Sequence, residues 1–169
     1  MRICFVCSGN ICRSPTAEVV LVAMLREAGY DDVEVDSAGT GDWHAGDDMD
    51  SRARATLNAN SYPHPRHEAK QFTVDDFAGR DLVIALDRGH ARHLRYLADE
   101  ADDPQAARDK VVLLRSFDPV AAADGDLDVP DPYYDDSEGF IEVLRQVERA
   151  CRGLVEAISR DGGSGQQGG

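Results

Sequence analysis

Cys7 and Arg13, with the loop CSGNICR between them, carry the side chains of this 169-residue chain best suited to chemistry. The loop follows an apolar run, ICFVC (Ile3 to Cys7), and leads into SPTAE, where Ser14 and then Pro15 at a first helical position signal a helix start. The successive backbone N–H groups of such a loop can curl into a nest. The positive end of the following helix adds to their field, so Ser8, Gly9, Asn10, Ile11 and Cys12 are expected to cradle an anion. Gly9 is expected to give close backbone approach and unusual dihedrals, and Asn10 to accept left-handed geometry. Arg13 offers a planar fork that grips two oxygens of a phosphoryl dianion. The same positive field, with a hydroxyl from Ser14 donating to sulfur, favours the thiolate form of Cys7. A thiolate on the floor of a phosphate cradle is a nucleophile aimed at phosphorus, with Arg13 holding the target and stabilising its transition-state charge. Cysteine, five residues and arginine is a weak pattern by itself; the preceding strand, the internal Gly-Asn and the Ser-Pro that follows make it specific. The competing reading is a tight strand-to-helix turn around a buried structural cysteine.

Displacement of an alcohol or phenol from phosphorus needs a proton donor for the leaving oxygen. With 32 acidic residues, composition does not choose one. VPDPYY stands out, because Pro130 and Pro132 stiffen the backbone on both sides of Asp131 and two aromatic rings follow. From the residues alone, Asp131 could equally be a solvated loop carboxylate. Asp124, Asp126 and Asp128 resemble the start of a calcium loop, but Val129 stands where that loop needs glycine. Cys4, Cys7 and Cys12 lack the paired spacing of a zinc site, and no Gly-Lys-Ser/Thr ending marks a nucleotide-binding loop. No metal and no cofactor are expected.

The elements that must position these residues follow from hydropathy. ICFVC and LVIAL (Leu82 to Leu86) are continuous apolar runs suited to central strands covered on both faces. VEVDSA (Val33 to Ala38) alternates as a half-exposed strand does, and KVVLL (Lys110 to Leu114) is a fourth short run. Helices are predicted from Pro15 to a stop at Gly29, from Asp50 to Asn60, from Asp87 to Ala98, and from Phe140 to Ile158, the last with an apolar stripe at helical spacing. The intervening segments read as loop, including Asp118 to Gly139. Strands alternating with helices predict one α/β domain with a four-stranded parallel sheet in the order 2-1-3-4 and helices on both faces. Strand 1 then ends at a topological switch point, where a ligand crevice forms. Residues 1–160 make up the expected domain, and 161–169, DGGSGQQGG, with nothing to bury, a disordered tail.

A net charge of −14 argues against a nucleic-acid partner, and no apolar run is long enough to span a bilayer. Without a signal-peptide pattern, a cytoplasmic location and free thiols are expected. Cys4 and Cys151 read as core residues.

CSGNICRSPTAE resembles the signature loop of the low-molecular-weight protein tyrosine phosphatases. SAGT, WHAG, HEAKQFTVDDF, DLVIALDRGH and VPDPYYDD fall in that family's order, so the resemblance runs from about Arg2 to Arg160. It implies hydrolysis of protein phosphotyrosine through a phosphocysteine on Cys7, with Asp131 as general acid and then base. It also implies Trp43, Tyr133 and Tyr134 as walls of a deep cleft with Ile11 in its lining, and a serine and a histidine bracing Asn10. His67 is the matching histidine, although SYPHPR before it and Lys70 after it depart from the pattern, and an exposed His67 is the competing reading. The remaining histidines are expected at the surface. Cys12 is placed to form a disulfide with Cys7 on oxidation. Tyrosine-phosphorylated proteins are the implied substrates, and a tyrosine kinase acting on Tyr133 or Tyr134 a further partner. Related arsenate reductases need a cysteine pair that Leu82 to Pro104 lacks; protein arginine phosphatases typically carry threonine at the position of Ile11. A catalytically silent phosphotyrosine-binding module is the remaining alternative.

Overall fold

A computed structural model of the chain describes residues 1–163. Four parallel strands, β1 (Arg2–Cys7), β2 (Glu34–Gly39), β3 (Leu82–Ala85) and β4 (Val111–Leu113), form one sheet in the order β2-β1-β3-β4. The expected order is therefore observed. Within β1, Ile3 and Phe5 face one core while Cys4 and Val6 face another, and β3 divides Ile84 from Val83 and Ala85 in the same way. A strand with both faces covered has no solvent side to make polar, which is why both central strands are unbroken apolar runs.

One core lies under α1 (Arg13–Ala28), α2 (Ser51–Ala59) and the long α6 (Ser137–Gly163). The other lies under α3 (Arg88–Ala98) and α4 (Pro104–Asp109). The caps follow from sequence: Asp50 accepts from Arg52 N, Asp87 from His90 N, and Gly29 closes α1 in left-handed geometry at φ 84°. Cys4 and Cys151 are fully buried, as expected.

Three boundaries differ from expectation. Helix α1 begins at Arg13 rather than Pro15, so Arg13 and Ser14 lie in its first turn, with Cys12 as the cap residue. Two short helices, α4 and α5 (Pro119–Asp124), occupy segments read as loop. Both start with aspartate capping a helix that has proline at its first position, Asp103-Pro104 and Asp118-Pro119. They are too short to show an apolar period, so only the cap could have revealed them. Helix α6 continues past residue 160 to Gly163, and the rest of the expected tail, 164–169, lies outside the described residues.

Helix α6 crosses the 3₁₀ turn Leu114–Phe117 at Gly153, where a Cβ would sit 1.8 Å from the Phe117 carbonyl oxygen. Gly153→Ala is expected to destabilise the fold by about 1–3 kcal/mol through overpacking, against the ordinary gain from replacing a helical glycine. A lower urea midpoint checks this; an unchanged or raised midpoint would mean that α6 shifts freely over the turn.

Candidate active site

The crevice opens beyond the carboxyl end of β1, where Cys7 is the last strand residue and 3% exposed. Its Sγ lies 2.9 Å from Ser14 Oγ. Ser14 Oγ also accepts from Asn10 Nδ2 at 2.9 Å, so its own proton can point at sulfur or at the Ala38 carbonyl, which lies 3.3 Å away. Asn10, fully buried, takes the left-handed conformation at φ 58°. A second Nδ2 bond goes to Ser37 Oγ at 2.9 Å, Oδ1 accepts from Lys70 N at 3.0 Å, and the Asn10 carbonyl lies 2.7 Å from His67 Nε2. Ser37 and His67 are therefore the serine and histidine against Asn10, and His67 is half-buried rather than exposed. Behind Ser37 stands Glu18 at 2.6 Å, its carboxyl raised above the ordinary range by burial.

The left-handed residue is thus Asn10. Gly9 has no positive φ, contrary to expectation; its role is close approach, since a Cβ there would lie 2.9 Å from the His44 ring. Replacing Asn10 with alanine leaves Ser14, Ser37 and Lys70 N without their partner and puts strain on a positive φ. We expect Asn10→Ala to cost about 2–4 kcal/mol of stability, from unpaired buried groups and backbone strain together. Thermal unfolding checks it.

Arg13 is buried and held by its Nη1, which donates to Asp87 Oδ2 at 2.9 Å and to the Val129 carbonyl at 3.0 Å. Its Nη2 lies 3.6 Å from Asp131 Oδ2. The acid-bearing loop is anchored by Val129 N to the Leu86 carbonyl and by Arg115 Nη1 to the Asp128 carbonyl. Asp131 Oδ1 accepts from Tyr133 N at 3.1 Å, closing a small turn around Pro132. Asp131 is half-exposed at the mouth. A cleft of about 200 Å³ is bounded by the loop, Arg13, Trp43, His44, Asp131, Tyr133 and Tyr134, which brings every wall residue expected from sequence together with Cys7. Trp43 and Tyr134 are 71% and 93% exposed, so they form a rim, while Tyr133 stacks near Arg52 and edge-on to Tyr134. Cys12 lines the same cleft, and burial together with the Asp50 charge pushes its thiol up to about 12. Of the three aspartates resembling a calcium loop, Asp126 pairs with Arg115 and Asp128 with Arg88.

Asp87, His90 and His44 were not anticipated here. Asp87 was legible only as a helix cap. Burial works against its charge, yet the His90 N–H, the nearby His90 ring and Arg13 together hold its carboxyl below the usual range. His90 was expected at the surface but is 5% exposed, with Nε2 at 2.9 Å from Ser8 Oγ. The signal was present: His90, Leu94 and Ala98 repeat every fourth residue on the buried side of α3.

Burial, reinforced by the Arg13 charge, lowers His90 from 6.5 to about 4. Between those values the unfolded chain binds a proton that the folded protein does not, so stability falls as pH drops from 6.5 towards 4. The loss across that window is about 3 kcal/mol. Asp87 acts only at lower pH, since its depressed carboxyl keeps its stabilisation until pH falls below the unfolded value of 3.8. Urea midpoints at pH 7 and 4.5 are expected to converge in His90→Gln; equal slopes in both proteins would refute the assignment.

A model of the low molecular weight phosphotyrosine protein phosphatases matches residues 2–164. A low molecular weight protein-tyrosine-phosphatase of Streptomyces coelicolor is 52% identical over 158 residues, 93% of each chain. Low molecular weight protein-tyrosine phosphatase A of Mycobacterium tuberculosis is 46% identical, with 97% of this chain and 98% of that one covered. Among solved structures, a protein tyrosine phosphatase of Entamoeba histolytica with Hepes in its active site superposes with a TM-score of 0.86 at 30% identity, over 95% of this chain and 98% of that one. An arginine phosphatase of Drosophila superposes at 0.85 with 26% identity, over 94% and 98%. With the fold, the loop after β1 and these relatives in agreement over nearly the whole described chain, the protein belongs to the low-molecular-weight phosphotyrosine protein phosphatase family.

Proposed function

We propose that the protein hydrolyses phosphotyrosine in proteins in two steps centred on Cys7. The observation that carries this reading is the cleft in which Cys7, Arg13 and Asp131 converge, with Ser14 Oγ 2.9 Å from the sulfur. The phosphoryl group enters the nest of residues Ser8 to Arg13. The Cys7 thiolate attacks phosphorus, a P–S bond forms, and the P–O bond to the ring breaks as Asp131 delivers its proton to the leaving phenolate. Asp131 then takes a proton from water, which attacks phosphorus; the P–S bond breaks, phosphate leaves and the thiolate returns. Ser14 donates to the departing thiolate, and Arg13 with the backbone N–H groups balances charge on the equatorial oxygens. No step calls on a metal or a cofactor.

Depth supports the substrate class. A cysteine 3% exposed beneath a rim of Trp43, Tyr133 and Tyr134 is reached by a phosphate carried on a phenyl ring, whereas phosphoserine is too short. Phosphoarginine, a phosphoramidate on a long side chain, is the competing substrate, and one solved neighbour is an arginine phosphatase. Ile11, apolar and lining the cleft, favours the aromatic substrate. The partners are tyrosine-phosphorylated proteins of the cytoplasm. Tyr134, almost wholly exposed, and Tyr133 are accessible to a tyrosine kinase.

Oxidation of Cys7 to the sulfenic acid leaves Cys12, in the same cleft, to attack it, releasing water and closing a disulfide that thiols reopen. Peroxide inactivation is expected to be less reversible in Cys12→Ala than in the parent protein; equal recovery by dithiothreitol would refute it.

Turnover of a phosphotyrosine peptide in EDTA, with phosphoserine and phosphoarginine peptides alongside, tests the main reading. Activity is expected on phosphotyrosine alone, lost in Cys7→Ser, with kcat lowered about 10²–10⁴-fold in Asp131→Asn. Tight binding without turnover would instead mean a binding module.

A further inference from the structure

We propose that His90 is a positioning residue that holds Ser8 and thereby completes a brace from α3 to both ends of the phosphate loop, an inference that rests on the reading of that loop as a phosphate cradle. Two chains of contacts meet at Asp87. Its Oδ2 accepts from Arg13 Nη1 at 2.9 Å, at the far end of the loop. Its Oδ1 accepts from His90 N at 2.9 Å and lies 3.2 Å from His90 Nδ1, out of alignment for a second hydrogen bond. His90 Nε2 lies 2.9 Å from Ser8 Oγ, at the near end. The circuit Ser8–His90–Asp87–Arg13 spans the loop from outside it, all of it supported by the first turn of α3.

The direction of the hydrogen bond follows from charge. The imidazole is buried, and Arg13 stands close, so the ring stays neutral. A neutral ring with Nδ1 beside a carboxylate keeps its proton on Nδ1, which leaves Nε2 to accept from the Ser8 hydroxyl. The hydroxyl is then occupied as a donor.

What this fixes is backbone. The Cys7 carbonyl accepts from Thr40 N at 2.8 Å and the Ser8 carbonyl from Gly41 N at 3.2 Å. In a trans peptide the N–H points opposite to the carbonyl, so these bonds turn the Ser8 and Gly9 N–H groups away from the end of β2. Among the described residues, the backbone anchors of Ser8 lie on the side of β2. The His90 bond holds it from the side of α3, and a cradle whose N–H groups are held before the anion arrives loses less freedom on binding it.

Inorganic phosphate binding by calorimetry at pH 7 tests the brace without turnover, in Ser8→Ala, His90→Phe, their combination and His90→Gln. Each single variant is expected to weaken phosphate about three- to tenfold, the worth of one hydrogen bond. The double variant is expected to be no weaker than either, and His90→Gln, which retains an acceptor, to return within about twofold of the parent. Multiplying losses, or unchanged affinity in Ser8→Ala, would overturn the brace. An absence of phosphate binding in the parent protein would overturn the cradle and the brace together. Nitrogen-15 shifts of the His90 ring supply a reading that needs no histidine variant to fold: an Nδ1–H tautomer whose Nε2 shift moves in Ser8→Ala supports the brace, and an Nε2–H tautomer, or an Nε2 shift unmoved in Ser8→Ala, overturns it.

Discussion

The site depends on one buried amide. Asn10 sits in a backbone conformation that costs energy for any residue with a side chain, and it is kept there because each polar atom of its side chain has work elsewhere. Its Nδ2 reaches Ser14 from one direction and Ser37 from another, tying the start of α1 to β2, while Oδ1 fixes the strand-like passage through Lys70. The φ of 58° lets the loop reverse within a few residues, so that it can leave β1 and enter α1 with its amides turned inward. An aspartate at this position would fill the same space but lose both donor bonds. Half-satisfied, such a buried network costs more than an apolar packing would.

Around that amide the loop is held by neighbours rather than by its own packing. His67 takes the Asn10 carbonyl from below, Thr40 and Gly41 take the carbonyls of Cys7 and Ser8, and the Asp87 carboxylate takes Arg13. Three different segments therefore converge on one turn. The arrangement explains how a chain of net charge −14 keeps an anion site. The local field is set by oriented N–H groups, a helix start and one desolvated guanidinium, whose effects at short range outweigh distant surface carboxylates screened by salt.

Much of this was readable from residue order. The strand, loop and helix around Cys7 could be placed because an unbroken apolar run and a Ser-Pro start are local signals, and the sheet order followed from which runs were continuous. The two prolines made Asp131 stand out locally, but only the family resemblance gave it a role rather than that of a solvated carboxylate. What escaped was long-range. Nothing near Asp87 in sequence says that it meets Arg13, 74 residues away, and a histidine among arginines in DRGHARH looks exposed until the stripe His90, Leu94, Ala98 is taken together. The short helices α4 and α5 escaped because six residues are too few to show a period.

The acid loop illustrates the same division at the level of mechanism. Its prolines stiffen the segment locally, yet its position over the cleft is set by two arginines reaching into it from the body of the protein, Arg13 to the Val129 carbonyl and Arg115 to the Asp128 carbonyl. Arg13 therefore has two duties, since the same guanidinium that faces the phosphate also holds the backbone two residues before Asp131. In the proposed reaction, a loop fastened at 128 and 129 carries Asp131 half-exposed at the mouth, where it can meet the leaving oxygen, with Tyr133 and Tyr134 at the rim. In that reaction the charge under the phosphoryl group is prearranged by an Arg13 held by Asp87 and Val129, while the proton donor stands at the mouth where a protein substrate enters.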